Sequence, residues 1–353
     1  MPDFFLESDL KEIVENLGPV VKKFSNRTIL LTGGRGFLGR YFIEVFNYLS
    51  KNILEKPLKV IVLDNLIASG KEGSNFPKYD NIIFKNHNVI EPYLIEEKID
   101  YVIHAAGIAS PYYYKKFPIE TLEVSILGTK NMLQLAKINN ARFCFFSSSE
   151  IYGDPDPKYI PIKESYRGNV SCQGPRACYD ESKRVGETLS DIYHNYYNLT
   201  TNTIRPFNIY GPGMQETDYR VLPNFASQIK KKKPLNIYGK GSQTRTFCYI
   251  TDAIVGFLLV ILNGKKGEAY NIGNTGPEIS IVDLAEIIIK VSNKNISYKI
   301  TEYPSSYPED EPNRRLPDIS KAANDLSFVP KISLEEGLKR FLDWSDKYYS
   351  SAE

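Results

Sequence analysis

Apolar and polar positions change their period along the chain, and the changes divide it. Near the N-terminus Leu6, Leu10, Ile13, Val14, Leu17 and Val21 recur at helical spacing. This predicts an amphipathic helix within an arm of residues 1–24, capped by Ser8 or Asp9 and packed on the rest of the chain or on a partner. From Arg27 onward, short runs rich in β-branched and aromatic residues appear at 28–32, 59–63, 82–84, 101–105, 142–147 and 202–206. Helical stretches lie between most of them, at 37–50, about 91–97, 117–139 and 179–197. Strand–helix alternation of this kind predicts an α/β fold, a doubly wound parallel sheet with helices on both faces. After Phe207 the chain is richer in Gly, Pro and Tyr, with helices predicted near 221–231, 252–263, 280–292 and 333–348. The expected organisation is the arm, a sheet domain at 27–206, and a smaller region at 207–353 partly interleaved with that domain.

Composition removes several classes of function. With 42% apolar residues the chain can bury a substantial core. Its 44 basic and 42 acidic residues leave a net charge of +2, which gives no pull toward nucleic acid or a membrane surface. The one basic block, Lys230–Lys233, reads as a solvated turn between a helix and a strand. The longest apolar run, Ala253–Leu262, is about half of what a bilayer span needs. The opening MPDFFLESDLKE carries acids where a signal peptide carries bases, so a cytoplasmic protein is expected. Cys144, Cys172, Cys178 and Cys248 form no C-x-x-C, and His87, His104 and His194 lack metal-ligand spacing. Neither a disulfide framework nor a metal site is expected.

The stretch ILLTGGRGFLGR follows the first strand and opens the first long helix. Its glycines at 33, 34, 36 and 39 let the backbone turn tightly against a pyrophosphate, which the helix N-terminus then attracts. In this strand–turn–helix setting the motif predicts dinucleotide binding. The second strand ends in Asp64, placed to take the adenosine ribose hydroxyls and to repel a 2′-phosphate, so NAD is favoured over NADP. Arg35, inside the loop, pulls weakly the other way.

A second stretch, GPRACYDESKR, sets Tyr179 and Lys183 one helical turn apart. A nearby ammonium favours phenolate, lowering the tyrosine pKa until it can take a proton from a sugar hydroxyl. Tyr112 and Lys116 repeat the spacing, so position must decide. Tyr179 begins the helix after the strand RFCFF, where the strand ends of an open sheet bind ligands; Tyr112 is expected in a loop beside the cofactor. Ser148 would share the tyrosine's substrate oxygen, and Glu150 places a carboxylate in the cleft.

TGGRGFLG, His104-Ala105-Ala106-Gly107, SSSEIYG, Tyr179-x-x-x-Lys183 and RPFNIYGPG together resemble the extended short-chain dehydrogenase/reductase family of nucleotide-sugar epimerases, dehydratases and decarboxylases. The resemblance covers roughly 27–345. It implies an NAD domain with Ser148, Tyr179 and Lys183 as catalytic triad, and a C-terminal nucleotide-sugar region. Cofactor contacts would come from Gly33, Gly36, Phe37, Leu38 and Gly39, from Asp64 and Asn65, from Asn88 and Val89, from Ala105 and Ala106, and from Tyr179 and Lys183. Within the family EIYGDP, GNVSCQGPRACYDESKR, PLNIYGKGSQTRTFCYITD and PEDEPNRRLPDISKA are similar to the UDP-glucuronate decarboxylase branch. That likeness implies that Asn208, Tyr238, Arg245 and Arg314 hold the UDP-sugar, with Ser149 and Glu150 at the carbon that changes and Arg245 on the sugar carboxylate. The chain departs from the branch at Asn88 and Ser125, at Gly107-Ile108 within Ala106–Pro111, and at Ser171-Cys172-Gln173, the last two near the expected sugar pocket. A 4,6-dehydratase or 4-epimerase on another nucleotide sugar is the alternative, and a non-catalytic NAD-binding protein the third. Ser149 stands where many dehydratases place an aspartate. A homodimer is also expected, as relatives pair through the helix beginning near Tyr179, here with Val185, Leu189 and Ile192 apolar.

Overall fold

Residues 5–68, 77–218, 220–303 and 312–351 are described by a computed structural model. Seven strands form one parallel sheet: β1 (Thr28–Thr32), β2 (Lys59–Asp64), β3 (Ile82–Asn86), β4 (Tyr101–His104), β5 (Arg142–Phe146), β6 (Thr201–Pro206) and β7 (Ala269–Ile272). Their order is β7-β6-β5-β4-β1-β2-β3, so the winding reverses between β1 and β4. A crevice opens beyond the carboxyl ends of the strands at such a reversal.

Alternation along each strand builds two cores. Ile29, Leu31, Val60, Val62, Cys144 and Phe146 face one side. Leu30, Ile61, Leu63, Phe143 and Phe145 face the other. Strands buried on both faces favour apolar side chains, which is why ILL, VIVL and FCFF contain no polar position. The edge strand β3 is partly exposed and ends in Lys85 and Asn86.

The longer helices are α1 (Glu7–Leu17), α2 (Phe37–Asn52), α3 (Thr129–Asn139), α4 (Ala177–Tyr197), α5 (Val221–Lys230), α6 (Ile250–Asn263), α7 (Ile281–Ser292) and α8 (Leu334–Tyr348). The first core joins α1, α2 and α6 to the sheet, and the second joins α3 and α4. β7 is contributed from beyond α6, pairing Ala269–Ile272 with Thr203–Pro206.

Several expectations needed correction. The arm is helical only to Leu17 and continues as a 3-10 turn over Gly18–Phe24. Neither Ser8 nor Asp9 caps it: Leu6 occupies the cap position without a side-chain bond. Asp9 is instead fully buried and accepts from the Tyr249 hydroxyl at 3.0 Å and from Arg340 at 3.3 Å. No helix forms over 91–97. Pro92 breaks it, and Tyr93 and Ile95 pack inward while Leu94 points out, a period of two. The predicted helix 117–139 is interrupted: Pro118–Glu123 gives way to a π-turn at Val124–Gly128 before α3 begins. Tyr112 lies on a short helix, Pro111–Lys116, rather than in a loop.

Candidate active site

The phosphate loop joins β1 to α2, and its glycines are steric necessities. Gly33 has φ +71°, and a Cβ there would lie 2.7 Å from the Ala106 nitrogen. A Cβ on Gly39 would lie 2.3 Å from the Gly33 carbonyl oxygen. α2 starts at Gly36 with no side chain capping its first turn, leaving its N–H groups directed toward the loop. A groove of about 130 Å³ runs from there along the strand ends. It gathers Gly33, Gly36, Asp64, Asn65, Asn88, Val89, Ala105 and Ala106; Phe37, Leu38 and Gly39 form the helix turn behind it. Asp64 accepts the backbone N–H groups of Arg35 and Leu66, each at 2.8 Å, and burial raises its pKa. The Arg35 guanidinium lies 4.1 Å over the Phe84 ring. A cradle too tight for any Cβ, followed by a carboxylate at the end of β2, fits a dinucleotide.

Tyr179 sits in the first turn of α4, stacked on Tyr114 with ring centroids 5.5 Å apart. Ser148, at the end of β5, hydrogen-bonds the phenol. Lys183 is buried with its Nζ 5.8 Å from the Tyr179 ring centroid. A Cβ on Gly107, in the wall of the cofactor groove, would lie 2.8 Å from that Nζ. The tyrosine–lysine pair therefore stands where the groove ends. Its electrostatics differ from the expectation that the ammonium lowers the phenol. Burial dominates and pushes Tyr179 up to about 12, with Ser148 acting in the opposite direction and the charges of Glu150 and Asp180 adding to the rise. Lys183 is itself lowered to about 8 by burial, and it donates to the Phe146 carbonyl at 2.9 Å. His104 is buried and driven down to about 3, so it stays neutral, paired with the Thr32 hydroxyl at 2.7 Å.

Ser149 and Glu150 lie on the 3-10 turn Ser149–Tyr152 that follows β5. The turn is anchored by the Tyr152 hydroxyl, 2.7 Å from Asn271 on β7 and 2.7 Å from Arg205 on β6. Glu150 is clamped between two buried arginines: Arg176 bonds one carboxylate oxygen and Arg315 the other. Burial alone would raise its pKa, but the two guanidinium charges win and hold it down at about 2.

Beyond Tyr179 a larger cavity of about 550 Å³ opens among α5, the Pro111–Lys116 helix and the C-terminal strands. It brings together Asn208, Tyr238 and Arg245. Asn208 donates to the Thr246 carbonyl at 2.9 Å. Arg245 donates to the carbonyls of Thr244, Asn313 and Pro312 at 2.8, 3.2 and 2.6 Å. Arg314 does not reach this cavity wall among the described residues; it forks onto Glu278 at 2.9 and 2.8 Å. Its neighbour Arg315 turns inward to Glu150. Four cations line the cavity, Lys115, Lys116, Arg220 and Arg245, and no carboxylate appears among its described lining residues. Arg220 also acts electrostatically on Tyr179, which links the cavity to the catalytic pair. Sequence reasoning missed Arg176, Arg220 and Arg315 as site residues. Arg176 and Arg315 lie inside quoted motifs, but only folding brings their charges to Glu150.

A nucleotide groove meeting a Tyr–Lys pair at the switch point of a parallel sheet defines an enzyme of the NAD-dependent short-chain dehydrogenase type. Residues 29–273 match the NAD dependent epimerase/dehydratase family, and the chain belongs to it. It is 40% identical over 317 residues to UDP-glucuronic acid decarboxylase 3 of Arabidopsis thaliana, covering 89% of this chain and 87% of that one. It is 38% identical over 351 residues to UDP-glucuronic acid decarboxylase 1 of Xenopus tropicalis, covering 96% and 79%. Among solved structures, an epimerase from Methanothermobacter thermautotrophicus aligns with TM-score 0.80 at 28% identity, over 96% of this chain and 97% of that one. A UDP-glucuronic acid 4-epimerase variant from Bacillus cereus, in complex with UDP-4-deoxy-4-fluoro-glucuronic acid and NAD, aligns with TM-score 0.77 at 25% identity, over 91% and 100%.

Proposed function

We propose that the protein decarboxylates UDP-glucuronate through transient oxidation at C4, yielding UDP-xylose or its 4-keto form. The observation that carries this reading is the cavity beside Tyr179, with four cations and no described carboxylate in its lining. A diphosphate and a sugar carboxylate need that field. The identity of about 40% to UDP-glucuronic acid decarboxylases supports the same substrate.

Bound NAD would take the hydride from C4 and return it at the end, and so would stay bound through the cycle. Tyr179, whose phenolate the positive ring of a bound cofactor would favour against the burial that raises it, removes the proton from the C4 hydroxyl, with Ser148 bonded to the same oxygen. Lys183 holds a positive charge at the groove end and orients the cofactor ribose. A C4 ketone lies β to the carboxylate, so the C5–carboxyl bond breaks readily and its electron pair passes into the C4 oxygen. Tyr179 and Ser148 stabilise that enolate. Arg245 holds the carboxylate until it leaves, and Ser149 and Glu150 attend C5. Asn208 and Tyr238 bind the nucleotide part, while Arg314 is committed to Glu278 outside the cavity wall. The test is to supply the purified protein with NAD and UDP-glucuronate and to measure CO₂ and UDP-xylose. Epimerisation to UDP-galacturonate without CO₂, or turnover of a neutral hexose instead, overturns the reading.

The N-terminal arm, the NAD-binding part at 27–206 and the sugar-binding part at 207–353 complete the proposed organisation. We also take the active form to be a homodimer in the cytoplasm. Ile192 and Tyr196 on α4 and Ile126 and Leu127 on the π-turn are apolar and exposed, a face fit for a second copy. The four cysteines are free, as a reducing compartment requires. No helix among the described residues is long and apolar enough to cross a membrane. Sedimentation as a monomer at micromolar concentration, or a fluorescent fusion found outside the cytosol, removes these additions.

A further inference from the structure

The proposed reaction has a proton balance that Tyr179 cannot close. The proton it takes from the C4 hydroxyl goes back to that oxygen when the ketone is reduced. The C5–carboxyl bond breaks as CO₂ leaves, and the electron pair left on C5 must form a new C5–H bond. One proton is therefore drawn from the medium in each turnover. Some group in the site must hold it at neutral pH. Glu150 faces the reacting carbon in this reading, but its two arginines keep it ionised.

Asp180, beside Tyr179 on the first turn of α4, completes the cluster. It is only 8% exposed. Its Oδ1 is buried with no hydrogen-bond donor among the described residues, and its Oδ2 lies 3.7 Å from Arg176 Nε, too far for a strong bond. The opposite end of Arg176 is bonded to Glu150. An ionised carboxylate so placed would leave a charged oxygen buried without a donor, a costly state that protonation relieves. We propose that Asp180 is the proton-holding residue of the site and the source of the proton that C5 takes up.

In this scheme the O–H bond of Asp180 breaks as a water of the cleft takes the proton. An O–H bond of that water breaks as C5–H forms, and Asp180 is reloaded from solvent. Asp180 thus acts through that water and is a storage residue rather than a catalytic one, while Glu150 stays ionised between its arginines. The groups that face it agree with this. Burial and then the Glu150 charge raise Asp180 to about 7, against the pull of Arg176 and Arg315, while Glu181 adds a smaller push upward. Arg245 acts on the Glu150 side of the cluster. Two carboxylates one arginine apart, one held ionised and the other protonated, make an acid–base pair.

The inference rests on the decarboxylase reading, and the experiment separates the two. The single-turnover rate of C5 protonation, followed as deuterium entering C5 from D₂O, is measured from about pH 6 to about pH 8.5, the range in which such a group loses its proton. Wild type should slow as pH rises through the Asp180 transition. Asp180→Asn should slow the step about a hundredfold and lose that transition, and Asp180→Glu should restore both in part. Wild-type protein that releases no CO₂ overturns both proposals. A wild-type rate that is flat with pH, which needs no variant to fold, overturns this one alone. So does an Asp180→Asn protein with the wild-type rate and pH profile.

Discussion

Replacing Glu150 by glutamine keeps the side chain's size and removes its charge, which isolates what the arginine clamp contributes. In the native protein the carboxyl is held at about 2 instead of its ordinary 4.5. At about 1.4 kcal/mol per pH unit, that difference corresponds to about 3 kcal/mol in favour of the folded, ionised state. Losing one member of a buried ion pair costs a similar amount, about 3–5 kcal/mol, because the remaining charges stay buried without compensation. Here two guanidinium groups, on Arg176 and Arg315, would be left facing a neutral amide. The sign of the pH dependence follows. A carboxyl lowered by folding stabilises the protein above its unfolded pKa, and the contribution fades as pH falls toward the folded value. Equilibrium urea unfolding at neutral pH should therefore find Glu150→Gln less stable by about 3 kcal/mol. The gap should hold down to about pH 4.5 and then narrow. A variant as stable as wild type at neutral pH, or a gap that does not shrink in acid, refutes the clamp as the source of the depressed pKa.

Other outcomes follow from the same geometry. Gly39→Ala, whose Cβ would sit 2.3 Å from the Gly33 carbonyl oxygen, should abolish NAD binding by calorimetry while leaving a helical circular-dichroism spectrum. Glu44, buried under the Tyr79 hydroxyl, is raised by burial to about 7 from 4.5, so the fold keeps a proton the unfolded chain loses. Stability should fall as pH rises between those values, and Glu44→Gln should remove the slope and melt higher than wild type above neutral pH. Arg220→Gln removes one of the four cavity cations; with a charge-assisted bond worth about 1.5–3 kcal/mol, KM for UDP-glucuronate should rise about tenfold to about a hundredfold. An unchanged KM would place the diphosphate elsewhere.

What the sequence disclosed was whatever a single contiguous stretch carries. TGGRGFLG is a complete device within eight residues, so its placement between β1 and α2 could be read directly. The strands were legible because runs such as VIVL and FCFF leave a doubly covered sheet as their natural place. The 91–97 segment misled because Tyr93, Leu94 and Ile95 form a short continuous apolar run, which by itself does not separate a helix from an extended segment. The Glu150 clamp was illegible for a different reason. Its arginines lie 26 and 165 residues away, and no local pattern marks that they converge. The direction of the Tyr179 shift was also hidden. Spacing revealed the ammonium, but the burial that outweighs it is a property of the packed core.

The seventh strand of the sheet has a consequence for how the chain is born. β6 must wait for β7, which is encoded after the whole of α6. At about 5–20 residues per second the interval lasts several seconds, during which Thr203–Pro206 is a bare edge whose unpaired N–H and C=O groups invite any passing strand. Nascent chains stalled or truncated in that window should be the stickiest species this gene product ever makes, and a ribosome pausing just after Pro206 would do more harm than one pausing anywhere past Ile272.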